Sequence, residues 1–143
     1  MGDRNRWGST LVCVAWVLYG ISLLVPAAAI PMDGPTQECS PGWSILMVLA
    51  VPFFWASGPE LIYLVANILF WLSAVFAFTS KFGPQARMIY PFAVGVSALA
   101  ALAAPMFVDK VCVGYWLWSL SFVVVTTGLL LQRTSRLAET ASP

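Results

Sequence analysis

The sequence predicts an all-α integral membrane protein: a four-transmembrane-helix bundle with a short re-entrant or interfacial helix before the second span. Three observations predict it. First, 60% of the 143 residues are hydrophobic and only 9% are charged, with a mean hydropathy of +0.86. Soluble domains carry roughly 45–50% apolar and about 25% charged residues, and a water-soluble fold of this length has too small an interior to hide the difference. Second, the apolar residues gather in runs of about 20, the length that crosses a ~30 Å hydrocarbon core at ~1.5 Å per helical residue. Third, the few basic residues sit between those runs in a pattern that one topology explains.

The first span is expected at residues 7–25, after Arg4 and Arg6 and before Pro26. A loop rich in Pro and Gly follows, carrying Asp33 and Glu38. The apolar stretch after it must be divided, and Ser57-Gly58-Pro59-Glu60 divides it. Ser57 and Glu60, three residues apart, have the spacing of a capping box, and a proline in the first turn has no amide hydrogen to lose. The second span is therefore expected at 58–80. The preceding segment, 43–56, contains Pro52 and is too short for the hydrocarbon core. It is apolar on all sides, which favours burial over lying flat on a surface. The third span is expected at 88–107, with Pro91 in its first turn, and the fourth at 113–131. The polar tail after it, 137–143, is expected to be disordered. The whole chain, 1–143, reads as a single membrane domain.

Charge settles the span count. With four spans and the N-terminus inside, Arg4, Arg6, Lys81, Arg87, Arg133 and Arg136 are cytoplasmic, and only Lys110 is outside. A fifth span at 43–56 would leave Arg4, Arg6 and Lys110 inside, against Lys81, Arg87, Arg133 and Arg136 outside. Four spans with both termini cytoplasmic is the better topology. One competing reading concerns the start. Basic residues, an apolar run and Pro26-Ala27-Ala28-Ala29 also resemble a cleavable signal peptide, although the run is slightly long for one. Its removal would leave three spans in the same orientation.

Polar residues inside the apolar runs are the candidates for function. Asn67 falls near the middle of the second span, with Trp71 one turn later on the same face and Trp16 at the middle of the first span. Polar groups at that depth usually hydrogen-bond to another helix. Trp16, Asn67 and Trp71 are therefore expected to be inter-helix contacts, with a ligand or quinone pocket as the sharper alternative. Glu60 is the only acid inside an apolar stretch. It reads as a capping carboxylate favoured by the helix dipole, with an ion or proton path as the alternative.

Cys39 and Cys112 both fall on the outer side, where disulfides persist. A structural disulfide, two free thiols and a redox pair all remain open, and the CxxC spacing usual in thiol exchange is missing. Cys13 reads as a small apolar packing residue. Ala93, Ser97 and Ala101 recur every four residues, a stripe of small side chains that lets another helix approach closely, within the chain or in a homo-oligomer. Trp43, Phe53, Phe54, Trp55, Tyr115, Trp116 and Trp118 gather towards the outer face, and Trp7, Phe82 and Tyr90 towards the inner one, as aromatic belts do.

The run Gly114-Tyr115-Trp116-Leu117-Trp118-Ser119-Leu120-Ser121-Phe122, with Gly42-Trp43 ahead of the second span, resembles a loose set of small, uncharacterised bacterial polytopic membrane proteins. The resemblance covers about half the chain. It implies a bacterial inner-membrane setting and brings no activity.

Composition narrows the function classes. His is absent, which removes the commonest metal ligand and general base, and a net charge of +1 offers no basic stripe for nucleic acid. No acid–base pair and no phosphate-binding loop is visible. The expectation is a non-enzymatic accessory or interaction subunit of a membrane complex. Its partners are the lipid bilayer and other membrane subunits or copies of itself, and no cofactor, metal or catalytic residue is expected. The alternatives are a homo-oligomeric channel or small-solute transporter, and a thiol-redox membrane protein built on Cys39 and Cys112.

Overall fold

A computed structural model describes residues 2–28, 39–49, 59–79, 83–102 and 110–140. The chain is mostly helical, in the order α1 (Gly2–Leu24), β1 (Pro26–Ala28), β2 (Ser40–Pro41), α2 (Gly42–Leu49), α3 (Pro59–Phe78), α4 (Pro84–Leu102) and α5 (Val113–Thr140). Helix boundaries follow proline. Residues before a proline are pushed out of helical geometry, so α1 ends just ahead of Pro26. Pro59 and Pro84 open α3 and α4, at positions where a missing amide hydrogen costs nothing.

Two helices are long and apolar enough to cross a membrane, Arg6–Leu24 in α1 and Val113–Thr134 in α5. Tyr63–Phe78 and Ile89–Leu99 are apolar helical stretches too, but shorter. At ~1.5 Å per residue they rise about 24 and 17 Å, less than a hydrocarbon core. Among the described residues, therefore, two candidate spans stand where the sequence predicts four.

Other boundaries shift. The last helix does not stop at 131 but continues to Thr140, because Gln132, Arg133, Arg136, Leu137 and Ala138 are good helix formers and no Gly or Pro interrupts them. The tail expected to be disordered is thus helical over residues 137–140, and residues 141–143 lie outside the described residues. Helix α4 begins at Pro84 rather than 88, which moves Pro91 from the first turn to the helix interior. There it cannot donate to the carbonyl of Arg87. The short helix expected over 43–56 is present as α2, whose eight residues rise only ~12 Å. Residues 50–56 and Ser57 lie outside the described residues.

The long helices alternate in direction. Gly8 faces Gly128 at one end of α1 and α5, and Ala28 pairs with Val111 at the other, so these two helices are antiparallel over their length. Tyr63 lies against Trp118 and Phe70 against Phe122, which makes α3 parallel to α5. Gly95 approaches Thr126 and Phe92 lies beneath Arg133, which makes α4 antiparallel to α5. The start of α1 and the end of α5 consequently lie at one end of the molecule.

At the opposite end three strand-like segments are tied together. Pro26 and Ala28 of β1 pair with Pro41 and Ser40 of β2. Cys112 N–H donates to Ala27 O (2.8 Å), and Gly42 N–H to Val25 O (3.2 Å). A disulfide joins Cys39 to Cys112 across this knot, with Cα atoms 6.6 Å apart. Gly114 is required here: a Cβ would stand 2.8 Å from the carbonyl oxygens of both Val25 and Pro26.

The interior is aromatic and small-residue in character. Phe70 and Phe122 are fully buried at its centre, with Val12, Ala15, Ala66, Val94 and Val125 around them. Phe76 and Tyr90 stack 3.8 Å apart between α3 and α4, and the Tyr90 hydroxyl donates to Leu69 O. The outward faces are strongly apolar: Val17 (63% exposed), Leu24 (76%), Leu99 (69%) and Val113 (66%) are among the most open residues.

Candidate functional site: a Tyr-Asn-Trp node

Helices α1, α3 and α5 meet at one buried polar cluster. Asn67, 3% exposed, projects from α3 into the interior. Its Oδ1 accepts from the Tyr19 hydroxyl of α1 (2.8 Å) and from Trp118 Nε1 of α5 (3.0 Å). Its Nδ2 donates to Tyr63 O, one turn back on its own helix (2.8 Å). The Tyr19 hydroxyl in turn accepts from Trp71 Nε1 (2.9 Å). An amide oxygen has two lone pairs and a phenol is both donor and acceptor, so this wiring uses each group in the sense its chemistry allows.

The surrounding rings hold these groups in place. Tyr19 stacks on Phe70 with centroids 4.4 Å apart. Trp118 meets Phe122 edge-on at 4.8 Å and Tyr63 at 6.0 Å. Buried Ser22 and the hydroxyl of Ser121 are satisfied by backbone carbonyls three residues earlier, Tyr19 O and Trp118 O. Of the four side chains that form the node, only Trp71 is exposed, with 49% of the residue accessible.

Of the residues the sequence groups together, Asn67 and Trp71 are linked through Tyr19 rather than directly. Trp16 stands beside the node, with its ring 5.3 Å from Phe70 and 6.1 Å from Tyr19, but its buried Nε1 has no hydrogen-bond acceptor among the described residues. The bond from α1 therefore comes from Tyr19, one turn further along the same face. Tyr19 and Trp118 escape sequence reasoning because both read as ordinary aromatic residues of an apolar run. The available signal was spacing: Tyr19 follows Trp16 by three residues, as Asn67 precedes Trp71 by four.

The other candidates fall elsewhere. Cys39 and Cys112 form the disulfide at the β1–β2 end. Cys13 is exposed on the outer face of α1, so it does not pack inside the chain; Val12, Ala15 and Tyr19 carry the inward face instead. Ala93 and Ser97 are half-buried, and Ser97 bonds back to Ala93 O (2.9 Å). The buried face of α4 is set by Tyr90, Val94 and Ala98, one position away from the predicted stripe. The side chain of Ala101 lies outside the described residues. Glu60 occupies the first turn of α3, but its side chain and Ser57 lie outside the described residues, so the capping box does too. Of the predicted aromatic belts, Trp7, Trp43 and Trp116 are exposed, whereas Tyr90, Tyr115 and Trp118 turn inward. Phe53, Phe54, Trp55 and Phe82 lie outside the described residues. Among the described residues no three His, Cys, Asp or Glu side chains come together.

The node's wiring suits a fastening between helices. It offers no nucleophile paired with a base and no converging charges. No protein-family model, no curated protein and no solved structure matches the chain.

Proposed function

We propose that the chain is a small integral membrane protein of four transmembrane helices, α1, α3, α4 and α5, that works without catalysis as an accessory or interaction subunit of a membrane complex. One observation carries the reading: the distribution of polarity is that of a protein dissolved in lipid. Large apolar side chains point outward from every long helix, as at Val17, Val75, Val96 and Val123, while Asn67, Ser73, Ser121 and Gln132 are buried. In water such a surface would be an aggregation liability. In a bilayer it is the solvated face, and polar side chains turn inward, where Asn67 and Gln132 hydrogen-bond across helices.

The shorter apolar stretches of α3 and α4 fit this reading. Helix α3 packs against both long helices and α4 against α5, and whole helices of 20 and 19 residues rise ~30 Å. In the proposed topology the end carrying Arg6, Arg87 and Arg133 is cytoplasmic, and the disulfide end is outside, where thiols oxidise. Helix α2 lies at that outer end, beside β1 and β2. The resemblance to small bacterial polytopic membrane proteins supports a bacterial inner membrane as the setting.

The mass of the complex purified in mild detergent tests the subunit role. The proposal expects a complex containing a second kind of chain. A symmetric homo-oligomer with no other protein would replace the accessory role with the channel or transporter reading.

A further inference from the structure

Arg133 stands out among the charged residues. It extends from α5 towards α4, and its guanidinium carbon lies 5.2 Å from the centroid of the Phe92 ring. The side chain is half-buried, and its Nε is buried without a hydrogen-bond acceptor among the described residues. The described residues nearest it on α5 and α4 supply no carboxylate. The residues three and four positions away on α5 are Leu129, Leu130, Arg136 and Leu137, so the only charge among them is of like sign. Helix α4 has no acidic residue anywhere along its length. Helix α1 is faced by Gln132, whose Nε2 donates to Ser9 Oγ (3.1 Å), and not by Arg133.

An arginine desolvated on one edge and stacked on a ring keeps its charge and its outward N–H groups, and it favours an anion with several oxygens. The ring beneath it is 56% exposed and apolar, suited to contact with an acyl chain. We propose that Arg133 and Phe92 form a binding site for the phosphate of an anionic lipid headgroup, with the lipid's first acyl carbons lying on Phe92. The site rests on the membrane reading above. In that topology it lies at the cytoplasmic leaflet, where anionic lipids attract basic residues beside membrane spans.

The test uses the full chain in mild detergent, titrated with phosphatidylglycerol, phosphatidylcholine or inorganic phosphate, with binding followed by native mass spectrometry and by the unfolding temperature. Phosphatidylglycerol should bind and raise the unfolding temperature, and phosphatidylcholine should do neither. R133Q should weaken phosphatidylglycerol binding roughly fivefold, the factor expected for one basic residue at an anionic surface. Phe92→Leu keeps the charge and should weaken binding less. Equal binding of the two lipids by the natural chain overturns the proposal, as does undiminished binding by R133Q. Inorganic phosphate competing as well as the lipid would also overturn it, since the site would then be one for free anions. If R133Q does not fold, Phe92→Leu decides: undiminished phosphatidylglycerol binding by that variant counts against the site. Detergent binding reads the site whichever leaflet it faces, so its failure is separate from a failure of the membrane topology, which insertion assays report.

Discussion

Asn67 links three helices, and removing its side chain leaves two donors unpaired at once. Tyr19 O–H and Trp118 Nε1–H would both face an apolar interior. A buried unsatisfied donor costs about 1–3 kcal/mol, while an inter-helix hydrogen bond in a membrane contributes on average only ~0.6 kcal/mol. Asn67→Ala should therefore lower the unfolding free energy in detergent by about 2 kcal/mol. Tyr19→Phe strands only Trp71 Nε1, on a residue that is half exposed, and should cost about 1 kcal/mol or less. Denaturant titration of the two variants checks the order, and a Tyr19→Phe loss larger than that of Asn67→Ala would show that the node is not centred on the amide. Asn67 was legible in the sequence because polarity is conspicuous in an apolar run. Its partners were not, since tyrosine and tryptophan present an apolar body and a single polar tip, and only orientation reveals which tip is used.

At the scale of elements, α1 and α5 approach so closely at one point that glycine is needed on both sides. A Cβ at Gly128 would stand 2.9 Å from Gly8 O and 3.1 Å from Leu11 Cβ, and backbone oxygens cannot swing aside. Gly20, also on α1, is exposed and has nothing within 4 Å of the same position. Gly→Ala should thus have opposite signs at the two sites. Gly128→Ala should destabilise by about 1–3 kcal/mol through overpacking, and Gly20→Ala should stabilise by roughly 0.5–1 kcal/mol through helix propensity. Equal effects in unfolding titrations would mean that α1 and α5 do not meet at Gly8. The sequence pointed to small residues on α4 because their spacing is regular there. It gave no sign of the Gly8–Gly128 contact, which depends on the pairing of the two helices most distant in the chain. Proline marked the start of α3 and the end of α1 correctly. The extension of α5 to Thr140 was missed because charge was read as the end of a span, whereas charge ends only the apolar part of a helix.

For the molecule as a whole, the disulfide closes the end opposite the termini. Cys39 and Cys112 are separated by 73 positions, and a loop of that length stabilises by about 4 kcal/mol in the chain-entropy argument. In unreduced protein a maleimide should label Cys13 alone, and only after denaturation, because in the proposed span its exposed side chain faces lipid rather than water and the other two cysteines are bonded. Labelling at all three without reductant would remove the staple from the account. Whether α3 and α4 cross the bilayer together with α1 and α5, as proposed, is read most directly by topology reporters. Fusions after Arg87 and after Arg136 should report the cytoplasm, and a fusion near Gly34 should report the outside. A periplasmic signal after Arg87 would contradict the four-span topology and, with it, the assignment of the disulfide end to the outer face.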